Sequence, residues 1–221
     1  MFNSEMSQQI SKRRAKRARR GELIYDRSLK EERSVGSVYL TLDILAQYYA
    51  EQALEKAVKD YEPERGLILV QQPQTGRLLA AASYPRKDGQ SLAFQFTYEP
   101  GSTFKTIAIS SALDAGAVSI NDAIDMSGRK WEIARGVVVR DRQHDKDELT
   151  IPEIMAVSSN IGAGKIALEL GAKNLFYYMK AFGFGTKTDI NFNGESKGYI
   201  LPYNKWTVVD TATKGYGYGI A

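Results

Sequence analysis

Ser102 and Lys105 have the types and spacing to do nucleophilic chemistry. They lie in Tyr98-Glu99-Pro100-Gly101-Ser102-Thr103-Phe104-Lys105. Pro100-Gly101 breaks the chain, and an apolar helix follows with Phe104, Ile107, Ala108, Ser111, Ala112 and Ala115 at i, i+3, i+4 spacing. Ile109 and Leu113 fall on its other side, so it reads as apolar nearly all round and buried, with Gly116 as its stop. Residues i and i+3 share a helix face, which puts the Lys105 amine within reach of the Ser102 hydroxyl. The positive helix end favours negative charge developing on Ser102. A lysine on a buried helix loses hydration, which favours its neutral form. A neutral amine beside a hydroxyl is a base that activates a nucleophile. The expectation is that Ser102 is acylated while Lys105 takes its proton. The plain alternative is an N-cap serine with a snorkelling lysine. Ser127 and Lys130 repeat the spacing without an apolar helix behind them and read as chance.

A second cluster, Ser158-Ser159-Asn160, follows one helix and opens another. At a helix–helix junction such side chains can point into a cleft, or they can simply cap. Ser119-Ile120-Asn121 has the same pattern but sits in a polar turn. The chain has no cysteine, which excludes thiol nucleophiles, disulfides and thiolate metal sites. His144, the only histidine, lies among Asp141, Arg142, Asp145 and Asp147 without metal-ligand spacing and reads as a solvated surface residue. Neither a metal nor a cofactor is expected.

The elements that must position these residues are legible as patterns. Asp43 or Thr41 caps a helix whose apolar face is Leu42, Leu45, Ala46, Tyr49, Ala50, Ala53 and Ala57, with Glu51, Glu55 and Lys59 outside and Glu55–Lys59 as an i, i+4 pair. Leu67-Ile68-Leu69-Val70 reads as a strand buried on both faces. Pro73 to Gly76 turns it into a hairpin whose second strand carries the small run Ala80-Ala81-Ala82, a place for the Ser102 helix to pack. Lys130 to Val139 reads as a strand pair turning near Gly136. Thr150-Ile151-Pro152-Glu153 is a capping box for a helix ending near Val157. A second helix runs to Leu170 and stops at Gly171, and a third stops at Gly183.

A chain of 221 residues suffices for one sizeable domain with an appendage, and 43% apolar residues fit a globular protein. The net charge of +4 is misleading, because seven basic residues crowd Lys12 to Arg20. Residues 1–20 read as a basic arm, disordered or a solvated helix, lying against solvent or lipid. No aromatic residue interleaves its arginines and no groove-reading motif follows, so nucleic acid is not an expected partner. No run approaches the roughly 18 apolar residues of a membrane span, and no signal-peptide core follows the arm.

Ser-x-x-Lys with a Ser-x-Asn triplet belongs to the known signature of penicillin-binding proteins and class A β-lactamases. Glu99 to Lys105 resembles the nucleophile segment of class B penicillin-binding proteins, the peptidoglycan D,D-transpeptidases. Tyr39-Leu40-Thr41-Leu42-Asp43 with Gln47, Leu69 to Gly76, Tyr84-Pro85, Phe182-Gly183-Phe184-Gly185 and Gly215-Tyr216-Gly217-Tyr218-Gly219 are similar to that family too. Gln72 stands where the family usually has aspartate. The resemblance implies a mixed α/β (α+β) penicillin-binding-protein fold, a helical subdomain packed on an antiparallel sheet that is incomplete here. It divides the chain into the basic arm, a remnant of an N-terminal module or linker at residues 21–38, and the N-terminal portion of a transpeptidase domain at residues 39–221. It implies that Ser102 attacks the penultimate D-alanine carbonyl of a peptidoglycan stem peptide with Lys105 as base. Ser158 passes a proton to the leaving group, and Asn160 binds the acyl side-chain amide. β-Lactams and other cell-wall synthesis proteins are the implied partners, on the extracytoplasmic face of the bacterial inner membrane. The family's Lys-Thr-Gly triplet is absent; Lys187-Thr188-Asp189 lacks the glycine. The chain therefore reads as truncated before that triplet and is expected to be weakly active or inactive alone. The rival readings are a β-lactam-hydrolysing or β-lactam-sensing protein of the same fold, and a non-catalytic fragment.

Overall fold

A computed structural model describes residues 39–86, 91–141, 146–188, 190 and 192–221, together with the backbone of 15–17 and 23–25. His144 and Asp189 lie outside the described residues. The chain divides into two compact units, residues 1–93 with 191–193 and residues 94–190 with 194–221.

In the first unit, β1 (Ala15–Arg17) pairs antiparallel with β2 (Leu23–Tyr25). That part of the expected arm is therefore strand rather than coil or helix. Helix α1 (Ile44–Tyr61) starts where Asp43 Oδ1 accepts the Ala46 N–H at 2.8 Å. Thr41, the other expected cap, instead donates its hydroxyl to the Leu78 carbonyl at 2.6 Å. Strands β3 (Gly66–Gln71) and β4 (Leu78–Tyr84) form the expected hairpin. Gln47 fastens α1 to it, accepting the Ala81 N–H at 2.8 Å and donating to the Ala81 carbonyl at 3.3 Å.

Three expectations for this unit are corrected. Within this unit the helix packed on the small residues of β4 is α1: Ala80 and Ala82 are buried with Ala50 and Leu54. That contact turns α1 so that Ala46, Ala50, Leu54 and Val58 face inward, while Leu45 and Tyr49 stay exposed. Small residues on both sides allow close approach, and this wins over the larger side chains of the neighbouring stripe. The helix's i, i+4 ion pair is Lys56–Asp60, not Glu55–Lys59. Finally, β3 is only half-buried, with Leu69 exposed at 42%.

The second unit is mainly helical. After the short α2 (Leu92–Gln95), a 3₁₀ turn at Gly101–Phe104 runs into α3 (Lys105–Asp114). Strands β5 (Ala123–Asp125) and β8 (Glu148–Thr150) pair antiparallel, as do β6 (Lys130–Ala134) and β7 (Val137–Arg140) around Gly136. Helices α4 (Ile151–Val157), α5 (Asn160–Leu170) and α6 (Ala172–Ala181) follow at the expected places, and α7 (Val208–Lys214) closes the set. The α4 start is the capping box read from Thr150 and Glu153. Ile154, Ile161, Ile166, Leu175 and Met179 are fully buried in one core with Phe104, Ala108 and Ala112 of the segment that follows Ser102. Burying each large side chain contributes about 1.5–3 kcal/mol, so the core fixes where α3, α4 and α5 meet. Gly162 permits the tight α4–α5 packing, because a Cβ there would sit 2.7 Å from Ile154. Helix α3 leaves a narrow exposed line at Thr106, Ser110 and Asp114 and is otherwise buried or half-buried up to Leu113.

Candidate active site

The sequence pattern puts Ser102 at the helix N-terminus with Lys105 a turn further in, whereas helix α3 begins at Lys105 itself. Ser102 therefore sits in the preceding 3₁₀ turn, exposed, with no side-chain capping bond. Phe104 anchors the turn: it is 1% exposed and meets the Phe184 ring edge-on at 5.3 Å. The N-cap alternative for Ser102 is not what the structure shows. Its backbone N–H, at the open end of the turn, has no backbone acceptor among the described residues.

Lys105 is 1% exposed, yet its amine lies against three polar atoms. Ser102 Oγ is 3.1 Å away, Ser158 Oγ 2.9 Å and the Ser158 carbonyl oxygen 2.6 Å. One amine thus bridges two hydroxyls that are 56 residues apart in the chain. The carbonyl can only accept, so one N–H points at it. A neutral amine can then donate a second N–H to Ser158 Oγ and accept the Ser102 hydroxyl proton on its lone pair. An ammonium would have to donate in all three directions and could not act as base.

The backbone at Ser158 makes this possible. Ser158 ends α4 in the left-handed conformation, φ 55° and ψ 46°. For a non-glycine residue that conformation costs about 1–2 kcal/mol. It turns both the carbonyl and the hydroxyl of one residue toward Lys105. Capping falls to its neighbour: Ser159 accepts the Gly162 N–H at 2.8 Å and starts α5. Asn160 is the first residue of α5 and half-buried, and among the described residues its side-chain amide makes no hydrogen bond. Ser102, Lys105 and Ser158 are therefore brought together directly, and Asn160 stands two residues beyond Ser158 on the same junction.

Asp141 is a residue that sequence reasoning missed. Its carboxylate accepts the Asn160 N–H at 2.6 Å, the Ile161 N–H at 3.1 Å and the Ser159 hydroxyl. It seals the α5 N-terminus from outside and fixes the backbone under Asn160. Nothing local announces it, because it lies 19 residues upstream of the backbone it holds. The Gly215–Gly219 segment closes the other side of the Ser102 turn. Gly217 O accepts the Gly101 N–H at 3.2 Å. A Cβ on Gly217 would lie 2.1 Å from Gly101 O, and φ there is +86°, so only glycine fits. Among the described residues no cluster could hold a metal ion.

Comparison with known proteins gives these features a family. The model of the penicillin binding protein transpeptidase domain matches residues 66–221. A probable peptidoglycan D,D-transpeptidase, PbpC of Pseudomonas aeruginosa, is 32% identical over 214 residues, covering 91% of this chain and 38% of that protein. The peptidoglycan D,D-transpeptidase FtsI of Buchnera aphidicola is 28% identical over 230 residues, covering 99% of this chain and 40% of that protein. The solved transpeptidase domain of penicillin-binding protein 3 from Burkholderia pseudomallei superposes with a TM-score of 0.75 at 29% identity, covering 84% of this chain and 55% of that one. The chain thus spans about two fifths of the length of these two sequence relatives.

Proposed function

Because the chain belongs to the penicillin-binding-protein transpeptidase family, as the resemblance to its class B members anticipated, we propose that it carries the acylation centre of a peptidoglycan D,D-transpeptidase. The observation that carries this reading is the single buried amine between the Ser102 and Ser158 hydroxyls.

In the proposed reaction the Ser102 oxygen attacks the carbonyl carbon of the amide joining the last two D-alanines of a stem peptide. A C–O bond forms as Lys105 Nζ takes the Ser102 proton. The Ser102 N–H supplies one donor to the oxyanion; removing one such donor typically costs about 10²–10³ in rate. The C–N bond then breaks, and the leaving D-alanine amine receives a proton through the Ser158 hydroxyl, which Lys105 replenishes. An amine from a second stem peptide attacks the ester, its proton returns through Lys105, and the Ser102 hydroxyl is restored. Asn160, whose side-chain amide makes no hydrogen bond among the described residues, holds the acyl part of the donor. A β-lactam would enter the same first step and leave a persistent ester. By the same reading the protein works on the extracytoplasmic face of the inner membrane, among other cell-wall synthesis proteins. No helix among the described residues is long and apolar enough to cross a membrane.

Pulse labelling of the full chain with a fluorescent penicillin, followed by a chase, tests the reading against a hydrolase of the same fold. A transpeptidase keeps the label over many minutes. Rapid loss with release of opened penicillin would favour the hydrolase, and no label even after prolonged exposure would favour a non-catalytic protein.

A further inference from the structure

The second unit buries two lysines, and the chemistry above uses only Lys105. Lys214, the last residue of α7, has a side chain 2% exposed. An ammonium removed from water needs charged or polar company. Its partners are Asp210 Oδ1 at 3.7 Å and the face of Trp206 at 5.0 Å. Asp210 is partly committed elsewhere, because its carboxylate accepts the Thr207 N–H and hydroxyl in the α7 capping box. The other carboxylate acting on Lys214 belongs to Glu99, three residues before Ser102.

The geometry links the two through Gly219. Its N–H donates to Glu99 Oε1 at 2.7 Å, and a Cβ built on it would lie 3.1 Å from Lys214 Nζ. The end of the Gly215–Gly219 loop is thus held between a carboxylate of the nucleophile turn and a buried ammonium. Two residues earlier the loop accepts the Gly101 N–H on Gly217 O. Burial pushes the Lys214 amine toward its neutral form, and Asp210 and Glu99 oppose that push.

We propose that Lys214 is a positioning residue whose buried positive charge, acting with Glu99 across Gly219, latches the Gly215–Gly219 loop onto the Glu99–Gly101 turn that presents Ser102. The consequence for acylation rests on the Ser102 reading above; the latch itself does not. A side chain that only filled space would serve as well if it were apolar. A latch requires charge.

The test uses the full chain as wild type, Lys214→Met, Lys214→Arg, Glu99→Gln and the Lys214→Met/Glu99→Gln double variant. Hydrogen exchange of peptides spanning 99–101 and 215–219 reads the latch without any activity. Lys214→Met should speed exchange there by about tenfold, with helices α5 and α6 unchanged. Lys214→Arg should restore most of the protection. The double variant should lose less than the sum of the singles, since each single already releases Gly219 from one side of the latch. Penicillin acylation should fall in parallel, by up to about 10²-fold for a misplaced nucleophile turn. If Lys214→Met does not fold, Lys214→Arg and Glu99→Gln decide alone. Unchanged exchange in the folded methionine or glutamine variant, or strictly additive losses, would overturn the latch. A wild type that shows protection but no acylation would instead overturn the function proposed for Ser102.

Discussion

Lys105 is where a single substitution says most. Its amine touches both hydroxyls and a carbonyl, so Lys105→Met removes the proposed base and leaves the Ser158 carbonyl without that donor. The penicillin acylation rate of Lys105→Met should fall by about 10²–10⁴, the usual contribution of a positioned base. Stopped-flow or quenched labelling would measure it. Ser158 separates chemistry from strain. Ser158→Ala and Ser158→Gly both remove the hydroxyl and should both slow acylation. They should differ in stability, because φ is +55° there and only glycine adopts it without a Cβ penalty. Ser158→Gly should unfold about 1 kcal/mol later than Ser158→Ala in urea. Equal midpoints would remove the strain from the account. At this scale the sequence was informative where the chemistry is local. The i, i+3 spacing of Ser102 and Lys105 could be read directly. The left-handed turn at Ser158 and the Asp141 seal could not, since both depend on segments that meet only after folding.

Among the elements, α4 deserves a pH experiment, since it carries Ser158 at its end. Lys146 and the Thr150 cap hold the Glu153 carboxyl at about 2, against its ordinary 4.5. A carboxyl depressed in the folded state contributes stability above its unfolded value and loses it as pH falls through the folded one. The thermal midpoint of the wild type should therefore exceed that of Glu153→Gln at pH 6. The gap should close between about pH 5 and pH 2, and scanning calorimetry across that range would check it. A gap independent of pH would mean that the glutamine is costly for another reason. The element boundaries themselves were legible, because Pro152, Glu153, Gly171, Gly183 and Gly136 act through the nearest few residues. Which face a helix buries was not. Helix α1 presents two overlapping apolar stripes, and the choice between them was made by Ala80 and Ala82 of a strand some thirty residues later. The same long-range choice left β3 half-exposed, where its composition alone suggested a strand covered on both sides.

For the whole molecule, the family was recognisable from motifs scattered between Tyr39 and Gly219, and the family model matches residues 66–221. What a pattern of motifs could not supply is how the motifs are held in register. In the second unit that is done by a common core under α3, α4 and α5, and by the Gly215–Gly219 segment lying on Gly101. In the proposed reaction this assembly makes one serine, and no other, the point of covalent attachment. Intact-mass measurement and peptide mapping of the full chain after exposure to a penicillin test it most directly, on the wild type and on Ser102→Ala. One adduct carrying the whole penicillin mass, mapped to the Ser102 peptide and absent from the folded Ser102→Ala variant, is the predicted result. An adduct that survives the substitution, or maps to Ser158 or elsewhere, would contradict it.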